Sequence, residues 1–151
     1  EQVDAGAFLR RMAASYQLTA EKQGVDLHVE TESTPLSLQM DEGRMTQALG
    51  NLVSNALRYT PEGGVIGIQF SVVGEGALIV VEDTGTGIEK KDLSRVFERF
   101  YRADQARNLQ AGESGLGLAI TRSIVEAHGG TISVESEVGQ GTRFEIKLPM
   151  G

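Results

Sequence analysis

Apolar side chains recur at helical spacing at the start of the chain: Phe8, Leu9, Met12, Ala13 and Tyr16 share a face, Asp4 stands at the N-cap position and Gly24 is the stop. The spacing predicts one amphipathic helix. Residues 25–31 then alternate apolar and polar (Val25, Leu27, Val29), and residues 36–40 repeat the alternation after Pro35, so each reads as a half-buried strand. Asp41 offers an N-cap for a long helix whose stripe runs Met45, Ala48, Leu49, Leu52, Val53, Ala56, ending before the turn-rich Thr60-Pro61-Glu62-Gly63-Gly64. Strands at 65–73 and 77–82 flank Gly74-Glu75-Gly76 as a hairpin. Residues 83–115 lose periodicity apart from a short helical piece at 92–98. A helix at 116–127 stops at Gly129-Gly130, and a last hairpin pairs 131–136 with 142–148.

This order predicts an α+β fold, a two-layer sandwich with a mixed sheet packed on about three helices. At 151 residues the chain is expected to be one domain, 1–151, with no internal repeat or linker. Helices on one face leave the sheet's other face either solvated or covered by something outside this chain.

Composition then narrows the chemistry. No cysteine is present, which excludes disulfide scaffolds, thiol catalysis and cysteine-ligated zinc, and His28 and His128 alone do not make a histidine-rich metal site. A formal charge of −7 argues against nucleic acid as the partner. No apolar run reaches the roughly 18 residues of a membrane span, and the start lacks the pattern of an export signal, so direct membrane contact is not expected.

Three places carry candidate chemistry. With Leu52 at zero and about 100° per residue, the apolar stripe of the long helix covers about −40° to +100°, while Asn51 and Asn55 fall near −100° and −60° on its shoulder. Asparagine is a poor helix interior residue, so the pair is either a solvated, locally bonded pair or a functional one, with Asn55 able to offer its carbonyl oxygen to a hard cation such as Mg²⁺. In the second, residues 80–82 feed Asp83 directly into Gly85-Thr86-Gly87-Ile88. That is a plain Asx turn, or a carboxylate held at a strand end to accept a hydrogen bond from an exocyclic amine such as that of adenine.

The third is Gly112-Glu113-Ser114-Gly115-Leu116-Gly117-Leu118, glycines leading into a helix N-terminus, where free N–H groups attract phosphate. Neither a Walker loop nor a dinucleotide Gly-x-Gly-x-x-Gly after the first strand is present. Between the second and third lies Phe97-Glu98-Arg99-Phe100-Tyr101-Arg102, with three of the chain's eight aromatics. It reads as a satellite core under a loop, with arginines that are surface charges or polyphosphate contacts.

Together these segments resemble the catalytic, ATP-binding domain of bacterial sensor histidine kinases, within the superfamily shared with gyrase, a heat-shock chaperone and a mismatch-repair ATPase. Asn51-Leu52-Val53-Ser54-Asn55-Ala56 with Tyr59-Thr60-Pro61 is similar to the N box, and Asp83-x-Gly85-x-Gly87-Ile88 to the G1 box. Phe97 to Arg102 is similar to the F box and Gly115-Leu116-Gly117-Leu118-Ala119-Ile120 to the G2 box; His128-Gly129-Gly130 and Gly139-Gln140-Gly141-Thr142 match the family's usual ending.

The resemblance implies the Bergerat-type ATP-binding fold, with ATP and Mg²⁺ as cofactors. By it, Asn55 ligates Mg²⁺, Asn51 and Arg102 act at the phosphates, and Asp83 binds the adenine amino group. Tyr59, Gly85, Gly87, Ile88, Phe100, Gly115, Leu116, Gly117 and Leu118 complete the nucleotide site, under a lid at about 99–115. Hydrolysing relatives carry a glutamate general base where Asn51 stands, and an amide cannot accept that proton, so γ-phosphate transfer is favoured over hydrolysis. Glu113 departs from the double glycine common in the family's lid.

The phosphate acceptor implied is a histidine on an N-terminal dimerisation domain, since neither His28 nor His128 has the surroundings of a phosphoacceptor. On that reading this chain does not phosphorylate itself in isolation, a response-regulator receiver domain is the downstream partner, and the location is the cytoplasmic side of a membrane-anchored sensor kinase. A serine kinase of the anti-sigma type and an ATP-sensing module without transfer are the alternatives. Residues 90–107 hold six basic side chains against three acidic, and the remainder eight against eighteen, so the positive potential gathers where the resemblance puts a triphosphate.

Overall fold

The computed structural model describes residues 2–31, 36–74, 76–98 and 117–149. Among them the chain runs β1 (Gln2–Asp4), α1 (Ala5–Ala14), α2 (Gln17–Gln23), β2 (Asp26–Glu30), β3 (Ser37–Gln39), α3 (Glu42–Tyr59), β4 (Val65–Val73), β5 (Gly76–Asp83), α4 (Lys90–Leu93), α5 (Gly117–Ala127), β6 (Thr131–Glu137) and β7 (Gly141–Pro149).

Asp4 caps α1 as predicted, its carboxylate accepting the Ala7 N–H at 3.1 Å. The single helix expected up to Gly24 is nonetheless two. Ser15 turns its hydroxyl back onto the Met12 carbonyl at 2.6 Å, the competition with the helix ladder that makes serine a weak interior residue. The break lays the Tyr16 hydroxyl against Gly50 of α3 and lets Gln17 donate to the Leu27 carbonyl at 2.7 Å, so α2 follows β2.

Strand β1 has no signal in the sequence. It exists because Val3 and Leu38, both buried, face each other when it pairs antiparallel with β3. The 36–40 strand therefore belongs to a two-stranded ribbon and not to the main sheet. The helical piece expected at 92–98 begins earlier, as α4. Bonds of Arg95 to Asp92 and Glu98 to Arg95, three residues apart, then continue it as tight turns.

The main sheet has the order β2-β4-β5-β7-β6, parallel between β2 and β4 and antiparallel elsewhere. Ile66, Ile68, Ile79 and Ile146 point to the helices and meet Leu49, Leu52 and Val53 of α3, all at most 1% exposed. The opposite face is polar. Arg143 lies there between Glu145 at 2.7 Å and Glu82 at 3.6 Å, and Val80, buried on that face, is flanked in register by Gln69 and Glu145. Within this chain no element covers that face among the described residues.

Leu49 is fully buried where α3 meets the sheet. Leu49→Ala is expected to lower stability by about 2–5 kcal/mol, read from the denaturant midpoint, because the rigid sheet beneath cannot collapse into the cavity.

Candidate functional site

Helix α3 starts at Asp41, whose carboxylate accepts the Arg44 N–H at 3.1 Å, and buries the predicted stripe. That orientation leaves Asn51 and Asn55 half-buried on its shoulder, one turn apart. Asn51 Nδ2 donates to the Gly117 carbonyl at 3.0 Å and to Thr121 Oγ1 at 3.3 Å, so its nitrogen faces the first turn of α5 and its oxygen faces away. Thr121, fully buried, also bonds the Gly117 carbonyl at 2.9 Å and the Ala48 carbonyl at 3.3 Å. Asn55 makes no side-chain hydrogen bond among the described residues and lies one turn beyond the point where Asn51 meets α5.

Asp83 ends β5 on the core side of the sheet and is 7% exposed. Burial pushes its carboxyl above the ordinary carboxylate value. The N–H of Gly85, 2.8 Å from Oδ1, and the backbone of Thr142 pull it back, while neighbouring Glu82 adds to the rise.

The loop after Asp83 is tied at every second residue. Thr84 exchanges bonds with Val65, its N–H to the carbonyl at 3.0 Å and its hydroxyl accepting the Val65 N–H at 2.9 Å. Thr86 donates to the Tyr59 carbonyl at 3.1 Å, Gly139 to the Thr86 carbonyl at 2.9 Å, and Ile88 to Ser136 Oγ at 2.7 Å. Glycine is required at the predicted positions: a Cβ on Gly85 would press on the Tyr59 carbonyl, and Gly87, at φ 79°, on that of Glu137. Tyr59 thus enters through its backbone. Asp83, Ile88, Lys90, Leu93, Ser136 and Thr142 line a cleft of about 660 Å³ together with Glu82, Glu135, Glu137 and Arg143, and Asn51, Asn55 and Gly117 do not line it; the size suits a small-molecule ligand.

The structure brings Asn51 and Gly117 together, with Leu118 half-buried in the same turn, and seats Asp83, Gly85, Gly87 and Ile88 on one loop. Phe100, Arg102, Gly115, Leu116 and the expected lid at 99–115, with Glu113, lie outside the described residues. Sequence reasoning passed over Thr121 and Ser136 and quoted Thr142 only as part of a family motif without a role; the importance of all three comes from neighbours distant in sequence. It also gave no role to His128. Its Nδ1 donates to the Ile124 carbonyl at 2.8 Å and its Nε2 accepts the Asp41 N–H at 3.0 Å, so both ring nitrogens are engaged in joining the end of α5 to the cap of α3.

A family model, the histidine kinase-, DNA gyrase B- and HSP90-like ATPases, matches residues 40–151. The chain belongs to this family. It is 42% identical over 144 residues, 94% of its length, to the sensor histidine kinase WalK of Bacillus subtilis (strain 168), and covers 23% of that protein. It spans about a quarter to a third of the length of the curated relatives it matches. Among solved structures, full-length ShkA in complex with AMPPNP aligns with a TM-score of 0.86 and 32% identity, over 100% of this chain and 31% of that one. The histidine kinase ThkA in complex with the response regulator TrrA aligns at 0.82 and 26%, over 100% and 42%. The five-stranded mixed sheet and its helices are thus the histidine-kinase ATPase fold. Among the described residues no helix of this ATPase-family chain is long and apolar enough to cross a membrane.

The raised carboxyl of Asp83 carries a sign. A folded value above the unfolded one means that ionising Asp83 opposes folding, a cost absent at low pH that grows as pH rises through the folded value. Asp83→Asn is therefore expected to melt above the parent at pH 7–8, with the gap closing toward pH 4 in paired thermal melts.

Proposed function

We propose that this chain is a single catalytic domain that binds Mg-ATP and transfers its γ-phosphate to a histidine on a separate dimerisation domain of a two-component sensor kinase. The observation that carries the reading is a desolvated carboxylate, Asp83, at the head of a loop whose Thr86 donates to the carbonyl of Tyr59, the last residue of the helix that carries Asn51 and Asn55. Adenine would sit on Asp83 over the Gly85-Gly87-Ile88 loop. Its phosphates would extend toward Asn51, Asn55, Gly117 and Leu118, where the α5 N-terminus offers N–H groups and its dipole. Tyr59, Phe100, Arg102, Gly115 and Leu116 would complete the site, with 99–115 as lid.

The residues fit a magnesium ion held mainly by substrate. Among the described residues no cluster of acidic or histidine side chains forms a protein cage, and Asn55 offers an uncommitted amide oxygen, the sparse oxygen set with which magnesium is held alongside nucleotide phosphates. When bound, the ion neutralises charge on the transferring phosphoryl group. Asn51 acts differently. Its amide is no general base and its nitrogen is committed to Gly117 and Thr121, so it orients the start of α5 and does not itself activate water.

The AMPPNP bound to ShkA and the response regulator bound to ThkA support the nucleotide and partner parts of the reading. A receiver domain is then the downstream partner, and the cytoplasmic side of the membrane the place of work. The test is labelled ATP with this chain and a histidine-bearing dimerisation domain supplied in trans. Acid-labile phosphohistidine on that domain is expected, and its absence while ATP binds would leave a nucleotide-sensing module instead. Asn55→Ala should remove most of the Mg²⁺-dependent part of ATP affinity in calorimetry, about tenfold or more. Equal affinity of the parent with and without Mg²⁺ would contradict the role of Asn55.

A further inference from the structure

Thr142 faces Asp83 directly across the β5–β7 ladder, and both side chains are buried against the cleft. The Thr142 hydroxyl lies 2.9 Å from Ser136 Oγ on β6. Ser136 Oγ has two further neighbours, the Ile88 N–H at 2.7 Å and the Gly141 carbonyl at 2.9 Å. An N–H only donates and a carbonyl only accepts, and a serine hydroxyl has one hydrogen and two lone pairs.

One assignment makes all three contacts hydrogen bonds. Ser136 gives its hydrogen to Gly141, receives that of Ile88, and receives the hydrogen of Thr142 on its remaining lone pair. The Thr142 oxygen is then left with lone pairs alone. Beside it stands Asp83, whose carboxylate accepts and does not donate when ionised.

We propose that Ser136 is a positioning residue for base selection: it locks the Thr142 hydroxyl as an acceptor, so that the Asp83–Thr142 wall favours 6-amino purines and rejects 6-oxo purines. This rests on the adenine-site reading above and deepens it. A 6-oxo purine brings an acceptor where the wall has only acceptors, and a buried unpaired acceptor is the kind of mismatch that discriminates strongly. Without Ser136 the Thr142 hydroxyl can rotate and offer its hydrogen to a keto oxygen, and the rejection weakens.

Calorimetric affinities for ADP and IDP, measured on the full chain, test this. Ser136→Ala is expected to reduce the ADP-over-IDP preference about tenfold, Thr142→Val to reduce it similarly, and Ser136→Ala to add nothing in the Thr142→Val background. Thr142→Ser, which keeps the hydroxyl, should retain the preference. If Ser136→Ala weakens both nucleotides by one factor, Ser136 is loop scaffolding and the proposal fails; an unchanged ratio overturns it equally. Should Ser136→Ala not fold, a Thr142→Val variant that melts like the parent and keeps the full preference would also overturn it. A parent chain that binds neither nucleotide removes the adenine-site reading itself, and this proposal with it.

Discussion

A carboxylate held out of water at the end of a central strand is the constraint around which this half of the molecule is arranged. Asp83 is desolvated, and a buried acidic group is tolerable only when hydrogen bonds reach it. Those bonds come from backbone N–H groups, so the backbone has to approach closely, and close approach excludes side chains. Gly85 lies against the Tyr59 carbonyl, Gly87 against that of Glu137, and Gly141, at φ 131°, against the carbonyl of Asp83 itself. The glycines of the loop and of the last hairpin are two sides of one requirement.

The helices that frame the other end of the proposed site are pinned with the same economy of groups. Helices α3 and α5 run side by side in opposite directions and are joined at three levels: His128 to the cap residue Asp41, Thr121 to Ala48, and Asn51 to Gly117. Each bond ties a side chain of one helix, or of the residue just past its end, to a backbone group at or in the other. Helix α5 therefore begins at a fixed height along α3, level with Asn51 and one turn short of Asn55. On the proposed reading, a phosphate chain entering between them would meet a helix start whose position is set by side chains of the neighbouring helix, and the four-residue spacing of the asparagines would take its meaning from that height.

Much of this was legible residue by residue. The stripe of α3, its Asp41 cap and its stop before Thr60-Pro61 are local signals, and the structure reproduces them, as it does both hairpins. The errors have physical reasons too. Ser15 broke a helix whose apolar spacing ran on unbroken, because the periodicity of hydrophobic residues does not register a hydroxyl turning back onto a carbonyl. Strand β1 is too short to have a pattern, and pairing with β3 creates it. The polar face of the sheet was left undecided, because alternation shows which residues point away from the core and not whether they satisfy one another; Arg143 with Glu82 and Glu145 does so across two strands, β5 and β7.

By itself the sequence determined most of the elements, the Asp4 and Asp41 caps, the fold class and the four segments whose order resembles the family's, since periodicity, caps and turn glycines act within a few residues of chain. Only the tertiary structure decided which groups complete each other. The register of β5 against β7 sets Thr142 beside Asp83, the β6–β7 hairpin delivers Ser136 to the Thr142 hydroxyl, and the height of α5 along α3 gives Asn51 its partner. Hydrogen bonds have short range and strict donor and acceptor roles, so their partners are fixed only when distant segments are brought within about 3 Å.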